Sequence, residues 1–129
     1  MLRFCLLSLL IAPLLVLPLS GRAESFSQSS VEKITFDLTA ISPAGLIGGA
    51  TSLQSVSYEF CIPASETHRI EVQAIDPSVQ YFPHSRGRIG CGDDQILCIG
   101  HTHQPRWREI LHQLADLDYV ERIDRFWGE

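Results

Sequence analysis

The chain has 129 residues, 45% of them hydrophobic and 19% charged, with a formal net charge of −5. That size and balance describe one folded domain and exclude both a disordered chain and a membrane bundle. The acidic excess argues against nucleic acid as a partner, and it reaches −7 if residues 1–23 are removed, because Arg3 and Arg22 leave with them.

Met1-Leu2-Arg3 supplies a positive charge, residues 4–17 are apolar apart from Ser8, and a polar stretch ends in Gly21-Arg22-Ala23. This is the grammar of a secretory signal peptide, with cleavage expected after Ala23. As a membrane helix, residues 4–17 would cover only about 21 Å of a roughly 30 Å hydrocarbon core, and Pro13 interrupts them. The expected product is exported to a periplasm, a thylakoid lumen or the extracellular space, with no stable membrane span after processing. Residues 24–30, with Ser25, Ser27, Ser29 and Ser30, read as a mobile leader, and 31–129 as a single small domain.

In residues 33–39, Ile34, Phe36 and Leu38 alternate with polar positions, which predicts a half-buried strand. Residues 41–55 carry Pro43, Gly45, Gly48 and Gly49 without an apolar period and read as a long loop, a place to look for binding. Val56, Tyr58, Phe60 and Ile62 form the clearest alternation in the chain, so Cys61 should point away from the Tyr58 and Phe60 face. Ser65 is placed to cap a helix over 66–75 whose buried face would hold Ile70, Ala74 and Ile75, and Pro77 stops it.

A short strand follows at 79–82, then a turn through 83–94. The unbroken run Ile96-Leu97-Cys98-Ile99 predicts a central strand covered on both faces. Pro105 opens a second helix, with Trp107, Ile110, Leu111 and Leu114 at i, i+3, i+4 and i+7. Asp116 and Asp118 weaken that helix near its negatively polarised end, so a last strand is placed from about Tyr119, with a helical continuation through Trp127 as the alternative. From Val56 onward the order matches the α+β, ferredoxin-like βαββαβ sandwich with an additional N-terminal strand, the strands at Val56 and Ile96 being expected as central, parallel neighbours.

Three cysteines follow the signal. Cys91 and Cys98 enclose only six residues, including Gly92, and their pairing is the preferred disulfide, leaving Cys61 as the free thiol. The competing pairing joins Cys61 to either of them across distant segments. His101 and His103 could present two nitrogens to a metal from one strand face, but two ligands do not make a site. Arg86, Arg88, Asp93 and Asp94 around Cys91, with Arg106 and Arg108 near the last helix, form a candidate charged binding surface.

Tyr58-Glu59-Phe60-Cys61-Ile62-Pro63, Gly87-Arg88-Ile89-Gly90-Cys91, Gln95-Ile96-Leu97-Cys98-Ile99-Gly100 and Tyr119-Val120-Glu121-Arg122-Ile123-Asp124 together resemble small exported proteins of cyanobacterial type, a family with no known activity. The resemblance covers about 55–126, carries over no catalytic residue, and implies a periplasmic or thylakoid-lumen setting. The leading expectation is a non-catalytic, disulfide-stabilised binding or assembly module for another extracytoplasmic protein, without a cofactor. Two alternatives are an enzyme using Cys61 with a histidine base, and a metal carrier using His101 and His103.

Overall fold

The computed structural model describes residues 12–16 and 28–128, and the expected signal therefore lies largely outside the described residues. It shows a mixed α+β chain with three α-helices and two antiparallel sheets. The expected leader is described only at its end, where Gln28–Val31 forms the single turn α1 and Ser30 is buried.

The N-terminal strand expected at 33–39 does not form. Thr35 donates its N–H to the carbonyl of Ile123, and Ile34 makes one isolated parallel bridge to Ile123. Asp37 then accepts from the Thr39 N–H and caps a 3-10 turn at Leu38–Ala40, which ends any extended run. Ile34, Phe36 and Leu38 still pack against the core, so their alternation records contact rather than a ladder.

The expected loop at 41–55 holds a small hairpin, β1 (Leu46–Ile47) paired with β2 (Gln54–Ser55). Thr102 fastens this region to the body: its hydroxyl donates to the Gly45 carbonyl at 2.6 Å and accepts from the Val56 N–H at 2.9 Å. Gly45 has φ +78°, and a Cβ there would lie 1.8 Å from the Thr102 carbonyl oxygen, so only glycine permits this approach.

The main sheet contains β3 (Ser57–Pro63), β4 (Gln80–Phe82), β5 (Gln95–His101) and β6 (Asp124–Phe126), in the order β4-β5-β3-β6. Its neighbours are all antiparallel, including the central pair, where Phe60 faces Cys98 and Cys61 faces Leu97. The parallel expectation for that pair fails for a topological reason. The helix after β3 returns the chain so that β4 runs in the direction of β3, and the following reversal turns β5 the other way.

That helix, α2 (Glu66–Ile75), has the expected limits, and the Ser65 side chain accepts from the His68 N–H. Its buried face differs from expectation: Val72 is buried, while Ile70 is 58% exposed. With so few apolar positions, the 70/74 and 72/75 edges are equally legible in sequence, and the core selects the second. The helix α3 (Trp107–Ala115) buries Trp107, Ile110, Leu111 and Leu114, the expected stripe. It ends before Asp116, and the chain reaches β6 without helical continuation.

Both longer helices close over one side of the sheet, where Tyr58, Phe60, Ile62 and Cys98 join Val72, Leu111 and Leu114 in a single core. Buried Asp76 is integrated there. It accepts from Tyr58 Oη through one oxygen, and through the other from Ser78 N at 2.9 Å, Ser78 Oγ at 2.7 Å and Gln104 Nε2 at 2.9 Å. Burial and the neighbouring Asp76 carboxylate hold the Tyr58 hydroxyl well above its usual pKa.

Candidate functional site

Because side chains alternate across a pleated strand, the second side of the sheet receives Ser57, Glu59 and Cys61 from β3, and Leu97 and Ile99 from β5. Gln80 and Phe82 of β4 and Asp124 and Phe126 of β6 lie opposite these positions and share the face. No helix among the described residues covers this face. It carries instead a groove of about 860 Å³ with Phe82, Leu97, Ile99 and Phe126 among its apolar walls and Gly87 and Arg88 on one border. Phe82 at the groove is 38% exposed and Trp127 beside it 68%.

The border is the 86–91 turn. It is internally closed, since Gly90 N and Cys91 N both donate to the Arg86 carbonyl at 3.2 and 2.8 Å. It is tied to the sheet by the Cys61–Cys91 disulfide, which joins residues 30 apart with Cα atoms 5.5 Å from each other. The expected Cys91–Cys98 pairing is thus incorrect, and Cys61 is not free. Cys61 lies on the open side with the turn, whereas Cys98, opposite Phe60, points into the helix-covered core. Among the described residues Cys98 is the free cysteine and it is buried, and burial, with a smaller contribution from Asp76, pushes its thiol up to about 12.

Under the turn lies Glu59, only 1% exposed. Its Oε1 accepts from the Ile89 N–H at 2.7 Å, and its Oε2 has no hydrogen-bond partner among the described residues. Gly87 presses on the same carboxyl: with φ +62°, it sits where a Cβ would be 3.3 Å from Oε2 and 2.8 Å from Leu97 Cδ1. Burial raises the Glu59 pKa from its ordinary value. The Ile89 N–H opposes that rise, Asp124 adds to it, and Arg88 and Arg122 oppose it. Beyond the turn, Arg122 Nη2 donates to the Ile89 carbonyl at 3.3 Å, and a second cleft of about 270 Å³ opens between Cys61, Ile89, Tyr119 and Arg122. The turn therefore partitions two cavities, with Glu59 beneath it.

The charged residues singled out by sequence do not form one patch. Arg86 and Asp93 pair with each other in the open, a contact of small net worth, and exposed Asp94 lies beside them. Arg88 lines the groove. Arg106 and Arg108 sit beyond the other end of β5, about 20 Å of strand away. There Arg106 approaches Glu109 at 3.9 Å, while the Arg108 guanidinium lies 4.9 Å from the centre of the Trp107 ring. His101 ends β5 on the open side with Nδ1 buried and without a hydrogen-bond partner among the described residues, and His103 is exposed two residues on. No three side chains of metal-ligand type gather anywhere among the described residues.

Glu59 escaped the sequence reading because a carboxylate at an outward strand position reads as solvated. The signal that it is covered was the unbroken apolar run at 96–99, which demands cover on the open side as well. No protein-family model, curated protein or solved structure matches the chain.

Proposed function

We propose that the chain is an exported, non-catalytic binding or assembly domain that engages another extracytoplasmic protein through the groove on the open side of the sheet. The observation that carries this reading is the groove itself, in which Phe82, Ile99 and Phe126 line a concave apolar surface beside Arg88. The partner presents an apolar side chain to these walls and a carboxylate to Arg88. The strand order β4-β5-β3-β6, with alternating directions and both longer helices on one side, supports a ferredoxin-like arrangement for 57–126. Such an arrangement leaves one sheet face for partners.

Export is supported by the N-terminal charge and apolar pattern and by the disulfide, which persists in oxidising compartments. Among the described residues no helix is long and apolar enough to cross a membrane. A periplasmic or thylakoid-lumen setting follows the resemblance to exported proteins of cyanobacterial type. The Cys61 enzyme loses its nucleophile to the disulfide, and the His101 and His103 carrier finds no third ligand among the described residues, so neither alternative gains support.

The test is site-specific photo-crosslinking in cells that export the protein. A crosslinking residue at Phe82 should trap a discrete protein adduct that Arg88→Glu weakens, while the same residue at exposed Thr67 of α2 traps none. An adduct from Thr67 but not Phe82, or a Phe82 adduct indifferent to Arg88→Glu, overturns the proposal.

A further inference from the structure

Glu59 is a buried carboxyl with one oxygen engaged and one without a donor, and the turn above it divides two cavities. A charged carboxyl in that position is buried with a protein donor at only one of its oxygens, a cost that ends when the turn lifts. Lifting is mechanically simple. The 86–91 turn is closed on itself, and apart from the disulfide its noncovalent ties to the body include the Ile89 N–H to Glu59, the Arg122 contact to the Ile89 carbonyl, and the packing of Gly87 on Leu97.

We propose that the 86–91 turn is a pH-responsive strap, closed over Glu59 while that carboxyl is protonated and released once it ionises, so that the groove and the neighbouring cleft become one continuous site. The strap acts in this way whichever molecule occupies the groove.

The direction follows from linkage. In the closed form burial holds the Glu59 pKa above its ordinary value of 4.5, whereas in the open form water hydrates the carboxyl and restores it. The closed form therefore binds the proton more tightly. Closure is fully favoured below the ordinary value and is lost as pH rises through the raised one. Each unit of elevation changes the ratio of open to closed strap by about tenfold. The charged groups acting on Glu59 are Asp124 from β6, which adds to the elevation, and Arg88 from the strap and Arg122 from the segment before β6, which reduce it.

The measurement is hydrogen exchange of the Ile89 amide in the oxidised, folded protein from about pH 4 to about pH 8, corrected for intrinsic exchange chemistry. The Phe60 and Cys98 amides in the central ladder report global opening. The protection factor of Ile89 should fall with rising pH, by about tenfold for each unit of elevation, while Phe60 and Cys98 stay protected. Glu59→Gln should remove the dependence. Arg88→Gln, at an exposed position, should move the transition to higher pH, an effect that loss of a merely structural contact would not produce. A pH-independent Ile89 protection factor in the wild-type protein, retention of the dependence in Glu59→Gln, or an unmoved transition in Arg88→Gln would each overturn the proposal.

Discussion

Among the described residues two carboxyl side chains lie below the surface, Asp76 on the helix-covered side of the sheet and Glu59 on the open side. Asp76 uses both oxygens, which accept from Tyr58, Ser78 and Gln104 and so join β3, the end of α2 and the segment after β5. Glu59 has one donor for two oxygens, and that donor belongs to a turn held against the sheet by a disulfide. The same chemical group thus fixes the architecture in one place and leaves a movable contact in the other. A donor at each oxygen makes the first, and a missing donor makes the second.

The largest expected effect lies on the helix-covered side. Trp107→Ala should cost about 3 to 5 kcal/mol in urea unfolding, because the buried ring packs in the core and its Nε1–H donates to the Pro43 carbonyl at 3.2 Å. Stability near that of the parent chain would show that the core does not depend on this side. On the open side, replacing both Cys61 and Cys91 by alanine should cost about 3 to 4 kcal/mol, through the regained freedom of the unfolded loop. The pair lies outside the helix-covered core, so hydrogen-exchange protection of Phe60 should change far less than that of Ile89. Equal losses at both amides would break the distinction between the two sides.

The smallest change makes the two carboxyls alike. Tyr58→Phe removes the donor to one Asp76 oxygen and should cost about 1 to 3 kcal/mol in thermal or urea unfolding, the range for a buried acceptor left unpaired. A neutral result would mean that Asp76 is no more firmly built in than Glu59.

Much of the core was legible from periodicity. The stripe on α3 and the cap and limits of α2 follow directly from Trp107, Ile110, Leu111, Leu114 and Ser65. What escaped were choices settled only by tertiary contacts. Asp37 diverts a strand-like alternation into a 3-10 turn, and Val72 displaces Ile70 as the buried edge of α2. The outward placement of Cys61 was also legible, yet it did not identify the partner. Four successive apolar residues at 96–99 hide which way Cys98 points, so loop length favoured Cys91–Cys98 where pleat geometry dictates Cys61–Cys91. The candidate site suffered most. Its groove walls come from four strands, and Glu59 becomes unusual only when the turn covers it.

The facing of Cys61 and Cys98 gives oxidation a second consequence, as a check on strand alignment. A slip of β5 by one residue against β3 would exchange the faces of its side chains, turning Cys98 outward toward the 86–91 turn. Cys91 would then meet a different sulfur. The native bridge is formed by the aligned ladder, and a Cys91–Cys98 bridge would be the covalent record of a chain that closed its sheet one residue out of step.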